Sequence, residues 1–332
     1  MNINKDTIAV IVTYNRLSLL QECLSNIDKG REKCDILLID NFSDDGTFDF
    51  INKFTKIKDD EIDEDVKTLK SDIEILKDIT IFRFSNDINL YYKRLNENTG
   101  GAGGYNVGTR VACYLPYKYL WYMDDDTMVN AGTLYNLKRA DRELEGDYAF
   151  LSSKVLWIDN NICKTNVQRL SVARKIKDFK TSLVEVDYSS FVSFFVKKDD
   201  VLRVGLPIKE FFIWSDDLEY TRRFTLKKFD GIRRPGYLVN DSFVIHKTAQ
   251  NEGVDITREI PARIDRYKYI YRNDVHCYRQ YGVPGWIYIV LKDVYTAFNI
   301  LLFSQKDKVK KIKVMCDGFI IGIKYNPDIK QV

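Results

Sequence analysis

The chain has 332 residues, 45% of them hydrophobic and 30% charged, which is the balance of a folded globular protein and excludes a disordered or fibrous one. The formal net charge of +3, from 51 basic and 48 acidic side chains, is too small to indicate attraction to nucleic acid, so we expect no nucleic-acid partner. Six cysteines occur without a CxxC pair and the first residues lack a secretory-leader pattern, so we expect a reduced, cytoplasmic protein.

The N-terminal region has the pattern of a βαβ unit. Residues 7–13 are β-branched and uncharged, as in a strand buried on both faces of a parallel sheet. Apolar residues recur at helical spacing from Leu17 to Ile27, and residues 36–39 form a second apolar strand that ends at Asp40. This pattern predicts the start of a doubly wound α/β sheet.

The sheet pattern continues to an acidic strand end. Residues 56–77 alternate acidic blocks with Ile, Val and Leu, which predicts an exposed, salt-bridged helix inserted between strands. A strand over 79–84, a loop over 96–104, a helix over about 105–114 and a strand over 119–123 follow.

Composition changes in the C-terminal part. Apolar runs at 191–196 and 242–245 predict further strands, and Tyr, Arg and Lys become frequent after residue 260. We therefore predict a boundary near Asn251 between an α/β domain of residues 1–250 and a basic, aromatic, helical region of residues 251–332.

An apolar stretch near the C-terminus precedes a lysine cluster. Lys292, Asp293 and Asn299 interrupt residues 283–303, so we predict that this stretch does not span a membrane. Residues 306–313 carry five lysines and one aspartate, a combination that could dock on an anionic membrane surface. The alternative is a packed amphipathic helix with a solvated basic end.

Three consecutive acids, Asp124, Asp125 and Asp126, follow a buried strand, so they project from the sheet edge where open α/β folds bind ligands. Their mutual repulsion is relieved by a divalent cation, and oxygen ligands favour Mg²⁺ or Mn²⁺. With only His246 and His276 in the chain, a histidine-rich zinc centre is excluded. The alternative is a solvated acidic turn.

Residues 98–108 contain five glycines before a predicted helix, which lets backbone N–H groups approach a phosphate or sugar. The segment lacks the GxxxxGK[ST] pattern and follows a third strand, which argues against a dinucleotide-binding fingerprint. Taken alone, it is explained equally well as a flexible loop.

A third cluster follows Trp214. Acids at Asp216, Asp217 and Glu219 would stabilise a helix N-terminus by ~0.3–1 kcal/mol, but that explains one acid and not all three. An aspartate there could accept the proton of an attacking hydroxyl, with Trp214 offering a flat face to a sugar. His246, at the end of a predicted strand, is either a metal ligand or simply hydrogen-bonded.

Taken in order, these motifs resemble the inverting family 2 glycosyltransferases with a GT-A fold, over about residues 7–250. The resemblance is carried by VTYNR at 12–16, IDNFSDDGT at 39–47, NTGGAGG at 98–104, DDD at 124–126, WSDDLE at 214–219 and His246. Three of these motifs, NTGGAGG, DDD and WxDDxE, are most similar to bacterial galactofuranosyltransferases and their rhamnosyltransferase relatives. The implied fold is a Rossmann-like, mostly parallel sheet with helices on both faces, followed by a C-terminal helical region.

The resemblance also implies roles for the motif residues around a nucleotide-sugar donor. Asp124, Asp126 and His246 would hold Mn²⁺ or Mg²⁺, and Asp217 would be the general base, with Asp216 capping a helix that begins near Leu218. The residues expected to bind donor or acceptor are Thr13, Arg16, Asp40, Asn98, Gly100, Gly101, Gly103, Asp125, Trp214, Asp216 and Glu219. The insertion at 56–77 departs from the common pattern, which puts the acceptor or oligomer surface near it in doubt.

The predicted reaction is inverting transfer of galactofuranose from UDP-galactofuranose to a sugar hydroxyl of a cell-surface polysaccharide or lipid-linked oligosaccharide. The sequence leaves open whether the protein contacts the inner membrane peripherally and whether it forms a homo-oligomer. A rhamnosyltransferase that uses dTDP-rhamnose is the nearest alternative. A nucleotidyltransferase is disfavoured because the first βα turn has no glycine. A catalytically silent sugar-binding or scaffold protein is the alternative from another class.

Overall fold

The computed structural model describes residues 5–171 and 174–332. The strands are β1 (Thr7–Thr13), β2 (Asp35–Asp40), β3 (Thr55–Lys56), β4 (Thr80–Arg83), β5 (Asn89–Arg94), β6 (Tyr119–Asp124), β7 (Thr127–Val129), β8 (Phe150–Leu156), β9 (Leu183–Val186), β10 (Phe194–Lys197), β11 (Lys228–Phe229), β12 (Ile232–Arg233) and β13 (Gly236–His246). The α-helices are α1 (Leu17–Asp28), α2 (Thr47–Ile51), α3 (Glu64–Asp72), α4 (Gly100–Tyr114), α5 (Thr133–Glu143), α6 (Lys198–Val204), α7 (Asp216–Leu226), α8 (Tyr267–Arg279), α9 (Val283–Phe303) and α10 (Lys308–Lys324).

Eleven strands of the described residues form one sheet in the order β3-β4-β5-β2-β1-β6-β10-β8-β13-β7, and β9 pairs with β13. The central strands β5, β2, β1 and β6 are parallel, whereas β10 is antiparallel to both neighbours. The predicted α/β class with a C-terminal helical region is confirmed, with the parallel ladders at the centre and antiparallel strands at the flanks.

The central strands are buried on both faces, as their unbroken apolar runs predict. Side chains alternate along β1, so Ile8 and Val10 join one core cluster, with Val111 of α4, while Ala9 and Ile11 join the other, with Leu20 of α1. The parallel register brings strand ends together, because Thr13 lies opposite Asp40 and Val12 lies opposite Asp124. This edge of the sheet therefore collects the polar residues of three motifs.

The prediction of a loop over residues 96–104 was wrong for its second half. Helix α4 already begins at Gly100. A Cβ at Gly104 would lie 2.4 Å from Val12 Cγ1, and one at Gly108 would lie 2.8 Å from Val10 Cγ1. The glycines thus let α4 pack directly on β1, and this packing outweighs the low helix propensity of glycine.

The acidic insertion at 56–77 is not one exposed helix. It contains β3, the 3₁₀ turns Asp59–Glu61 and Glu74–Leu76, and the nine-residue helix α3. Val66 and Leu76 are fully buried in the core, which explains why apolar residues recur among the acids.

Sequence patterns also missed or shortened several strands. β5 and β8 were not predicted, and the predicted strand at 242–245 is the end of the 11-residue β13. The run at 191–196 begins as a 3₁₀ turn, Phe191–Ser193, and continues as β10.

Three helices follow the sheet, which ends at His246 in β13. Ile300 of α9 and Val314 and Met315 of α10 share a small core with Tyr271 of α8. Val283–Phe303 forms one continuous helix that is long and apolar enough to cross a membrane by length and composition, although only 17% of its apolar window is buried in the protein. The boundary near Asn251 and the absence of a membrane span both stay predictions.

Candidate active site

A cleft of about 800 Å³ opens where the carboxyl ends of β1 and β6 meet the starts of α4 and α7. It collects most of the residues that the motifs predicted to be functional: Thr13, Arg16, Asn98, Gly100, Gly101, Asp124, Asp125, Trp214, Asp216 and Asp217. The remaining predicted residues do not line it and are treated in turn below: Asp40, Gly103, Asp126, Glu219 and His246.

Asp124, Asp126 and His246 converge beside the cleft, with one ligand atom of each lying within 4.8 Å of the others. His246 Nε2 is 2.9 Å from Asp126 Oδ1 and 3.9 Å from Asp124 Oδ2. Two carboxylates and one imidazole nitrogen fit Mn²⁺ or Mg²⁺ by the chemistry of the donor set. The antiparallel pairing of β13 with β7, which sets His246 opposite Thr127, creates this proximity.

Electrostatics at this cluster favour positive charge. Burial opposes protonation of His246, but the hydrogen bond to Asp126 and the negative charges of Asp126 and Asp124 outweigh it and raise the pKa of His246 to about 10. Burial and the neighbouring Asp126 likewise raise the pKa of Asp124. The cluster therefore stabilises a cation, whether a proton on His246 or a bound metal ion.

Two residues that the sequence analysis missed orient these ligands. The Tyr105 hydroxyl donates to Asp124 Oδ1 at 2.6 Å, and His246 Nδ1 lies 2.8 Å from Asn166 Oδ1. A donor bond from Nδ1 to this amide oxygen directs Nε2 toward the carboxylates. Tyr105 directly follows the glycine motif and could have been found there, whereas no motif surrounds Asn166.

Four of the residues expected to bind donor or acceptor are engaged within the protein. Arg16 Nη1 lies 2.7 Å from Asp126 Oδ2 and 3.3 Å from Asp125 Oδ1, and Thr13 Oγ1 donates to Asp125 at 2.7 Å. Burial, opposed by Arg16, raises the pKa of Asp125 to about 7. Asp40 is fully buried and accepts hydrogen bonds from the Tyr92 hydroxyl and the Ser43 amide. Through the bond from Ser43 it stabilises the loop after β2. Contact of Asp40 with the donor stays a prediction.

The start of α4 forms one wall of the cleft. Asn98 Oδ1 accepts from the Gly100 amide at 2.9 Å and from the Asn41 side chain at 3.0 Å, which holds the helix entrance to the loop after β2. Gly100 has φ +72°, and a Cβ there would lie 2.0 Å from the Phe212 carbonyl oxygen. Gly103 lies inside the helix against Thr99, so its role in this conformation is packing. The N-terminus of this 15-residue helix can bind an anion such as a diphosphate.

The segment before α7 has an unusual backbone. Phe212, Trp214 and Ser215 have φ of 64°, 66° and 64°, a region that such residues seldom adopt. This turn points Trp214 into the cleft and starts α7 at Asp216, two residues earlier than predicted, so Asp216 is the first helical residue and not the cap.

Asp217 has the properties of a proton acceptor. Burial and the charge of Asp124, opposed by the hydrogen bond from the Leu218 amide, raise the pKa of Asp217 to about 6. Burial and the adjacent Asp217 raise the pKa of Asp216 well above its ordinary value. A raised pKa keeps Asp217 basic enough to accept a proton near neutral pH.

Two consecutive residues of α8 hold the strained segment, and no motif marked them. The Asn273 amide lies within 3.1 Å of the carbonyl oxygens of Phe211, Ile213 and Trp214, and Asn273 is fully buried. Asp274 accepts from the Ser215 hydroxyl at 2.7 Å and pairs with Lys292 of α9. The C-terminal region therefore fixes the position of the α7 N-terminus.

Glu219 does not reach the cleft, although it was predicted to position the acceptor. Its carboxylate is buried and pairs with Arg223 at 2.9 Å, one helical turn along α7. It faces a separate small cavity lined by Arg222 and Asp274. Helical geometry explains this placement, because position 219 is rotated by about 200° from position 217.

Comparison with known proteins gives a family match and a fold match. Residues 8–72 match the family described as Glycosyl transferase family 2. A search of curated proteins gives no significant match.

Three solved structures share the fold across nearly the whole chain. S. aureus TarS has 14% identity and a TM-score of 0.51, with 95% of this chain and 43% of TarS covered. GalNAc-T7 with UDP, GalNAc and Mn²⁺ has 16% identity and a TM-score of 0.54, with 97% of this chain and 57% of GalNAc-T7 covered. The mannosyltransferase PcManGT from Pyrobaculum calidifontis, in complex with GDP-Man and Mn²⁺, has 14% identity and a TM-score of 0.50, with 97% of this chain and 76% of PcManGT covered.

This chain thus spans less than half the length of the TarS chain and just over half of GalNAc-T7. At these identities the likeness establishes the fold. The chain has the GT-A-like α/β fold of these proteins, and its residues 8–72 match glycosyl transferase family 2.

Proposed function

We propose that the protein is an inverting, metal-dependent glycosyltransferase that moves galactofuranose from UDP-galactofuranose to a sugar hydroxyl of a cell-surface polysaccharide or lipid-linked oligosaccharide. The observation that carries this proposal is one cleft that holds the metal-ligand candidate Asp124 and the basic carboxylate Asp217, with the N-terminus of α4 between polar walls. The family match at residues 8–72 and the Mn²⁺ and nucleotides in the GalNAc-T7 and PcManGT structures support the same reaction class.

The roles follow from the chemistry of each group. Asp124, Asp126 and His246 would hold Mn²⁺ or Mg²⁺, which neutralises the charge that develops on the leaving diphosphate. The α4 N-terminus borders the same cleft, and the positive end of its dipole would favour phosphate oxygens, although the Gly100 and Ala102 amides donate within the protein. Together these groups make the nucleoside diphosphate a better leaving group.

Asp217 would take the proton of the acceptor hydroxyl as its oxygen attacks the anomeric carbon. The new carbon–oxygen bond forms on the face opposite the diphosphate, the bond to the diphosphate breaks, and the anomeric configuration inverts. Trp214 contacts Tyr267 and Arg266 and exposes part of its ring to the cleft, where an acceptor sugar can stack. A positioned base of this kind contributes ~10²- to 10⁴-fold to rate.

The choice of galactofuranose rests on the NTGGAGG, DDD and WSDDLE motifs, and dTDP-rhamnose is the alternative donor. We further propose that residues 1–250 form the transferase domain, that residues 251–332 form a helical region that buttresses it, and that the protein works in the cytoplasm on a lipid-linked acceptor.

The test is donor consumption by the purified protein with Mn²⁺ and a soluble oligosaccharide acceptor. The expected result is release of UDP from UDP-galactofuranose and a product whose anomeric proton signal shows the configuration opposite to that of the donor. Faster release from dTDP-rhamnose would select the alternative donor. If nucleotide sugars raise the melting temperature but none is consumed, the protein is a sugar-binding protein and not an enzyme.

A further inference from the structure

The helix α9 has an apolar face that the rest of the described chain leaves uncovered. Its buried residues Ile289, Asp293 and Ile300 lie on one side. The opposite side presents five large apolar side chains that are each between 56% and 67% exposed, Leu291, Val294, Tyr295, Phe298 and Leu302, and Phe303, 68% exposed, adds a sixth at the last residue of the helix. Five of them repeat at steps of three and four residues, so they form one continuous stripe. We call these six residues the α9 face.

A basic border lies at the C-terminal end of the α9 face. Lys306 and Lys313 are exposed, and Lys308 donates to the Leu301 carbonyl at the end of α9. The five lysines of this segment are not equivalent, because Lys311 is buried and donates to the Thr257 carbonyl and Lys310 pairs with Asp265. Lys306 and Lys313 are therefore the side chains best placed to meet an external negative charge.

We infer that the α9 face and its basic border form a docking surface for an anionic lipid bilayer. A bilayer with acidic headgroups offers acyl chains to the apolar stripe and negative charge to the lysines in one surface. A second copy of this chain is a poorer occupant, because the α9 face carries no acidic side chain that could meet the basic border of the other copy.

The helix lies on the bilayer and does not cross it. Lys292 of α9 pairs with Asp274 of α8, and Asp293 is buried between these helices. Spanning would transfer both charged side chains into hydrocarbon and would separate Ile289 and Ile300 from their core contacts. A helix that exposes one apolar face, and whose charged side chains are paired or buried against the protein, instead lies in the interfacial plane.

The docking surface is connected to the cleft. Trp214 packs against the small core that contains Ile300 of α9, and Asp274 contacts both Lys292 and Ser215. If the proposed function holds, docking brings the acceptor wall of the cleft close to the headgroup layer, where the sugar of a lipid-linked acceptor lies. This step rests on the proposed function, whereas docking itself does not.

Co-sedimentation of the full chain with vesicles tests docking. We expect binding to vesicles that contain phosphatidylglycerol, weaker binding to pure phosphatidylcholine, and loss of the difference at high salt. The Lys306→Gln/Lys313→Gln variant should bind anionic vesicles about 25-fold more weakly, since each lysine near an anionic leaflet contributes about fivefold. Lys29→Gln/Lys53→Gln removes the same charge from exposed positions outside this region and should bind normally.

A second pair of variants tests the apolar stripe. Phe298→Ser/Phe303→Ser should lose binding to both kinds of vesicle, whereas Ile232→Ser, at a 69% exposed position in the β11–β12 hairpin, should not. The proposal is overturned if wild type fails to bind anionic vesicles at low salt, or if Phe298→Ser/Phe303→Ser converts a lipid-free dimer to a monomer. Resistance of bound protein to an alkaline wash would instead show a spanning helix and overturn the interfacial arrangement.

Transfer to a soluble acceptor separates this inference from the proposed function. Both docking variants should keep that activity. If wild type binds vesicles but transfers no sugar, the proposed function is refuted and the docking proposal stands. If it transfers sugar but binds no vesicles, the docking proposal is refuted and the proposed function stands.

Discussion

At the scale of single residues, the proposal depends on which carboxylate accepts a proton. Asp217→Asn keeps the size of the side chain but removes its basicity, so we expect kcat to fall by ~10²- to 10⁴-fold while donor affinity stays unchanged. Steady-state kinetics and donor titration measure the two quantities. Asp216→Asn is the matched control and should lose much less activity. A fall in donor affinity as large as the fall in kcat would make Asp217 a binding residue.

The same residue predicts a pH dependence. The carboxylate of Asp217 is the active form, and it is populated above its raised pKa of about 6, so the rate should rise with pH through an acidic limb and then level off. A bound cation offsets the Asp124 charge that contributes to the shift, which places the limb at or below pH 6. A kcat profile from ~1.5 pH units below to ~2 pH units above pH 6 checks this range. A rate that falls as pH rises through 6 would contradict the assignment.

At the scale of secondary-structure elements, α8 holds the start of α7 through one buried amide. Asn273→Asp replaces the side-chain NH2 donor by an acceptor oxygen that faces three carbonyls, so the left-handed segment before α7 loses its support. We expect kcat to fall at least tenfold with donor affinity retained, and the free energy of unfolding to fall by ~1–3 kcal/mol. Kinetics and urea unfolding measure these effects.

The control for Asn273 is Asn326→Asp. This residue is exposed, and its Oδ1 accepts from Arg279, a bond that a carboxylate would keep. It should change neither quantity. If Asn273→Asp lowers stability but leaves kcat intact, the hydrogen bonds of Asn273 are structural and do not position Asp217.

The contact of α4 with β1 gives a prediction about two neighbouring glycines. Gly104→Ala places a Cβ 2.4 Å from Val12 Cγ1, so we expect a destabilisation of ~1–3 kcal/mol from overpacking. Gly101→Ala meets nothing within 4 Å and should be neutral or stabilising by up to ~1 kcal/mol. Chemical denaturation of both variants checks the difference. Equal effects would show that helix propensity, and not packing on β1, governs this segment.

At the scale of the whole molecule, the cleft is walled by the sheet and by the start of α8 with the two residues before it, so a ligand there should stabilise both parts together. We expect UDP with Mn²⁺ to raise the melting temperature in one cooperative transition, with ~2.7 kcal/mol gained at about 100 times the dissociation constant. Asp126→Ala should fold, as judged by circular dichroism, but lose the Mn²⁺-dependent part of the shift. A full UDP shift in excess chelator would show that no cation takes part in binding.

The sequence by itself determined the α/β class and predicted ten of the residues that line the cleft. Apolar runs that end in polar residues can be recognised without coordinates, because burial on both faces of a parallel strand and ligand binding at its carboxyl end are local consequences of one topology. Thr13, Asp124 and the WSDDLE segment were therefore predicted to be functional, and the structure places Thr13, Asp124 and residues 214–217 around one cleft.

Tertiary structure decided the rest. Asn273 and Asp274 lie about 60 residues from the segment that they hold, and His246 reaches Asp126 only through the pairing of β13 with β7, so no local pattern reveals either contact. Helix α4 begins at Gly100 because close packing on β1 overrides glycine's preference for loops. The exposed side of α9 likewise became visible only when α8 covered the other, since composition records how apolar a helix is but not which side the fold leaves uncovered.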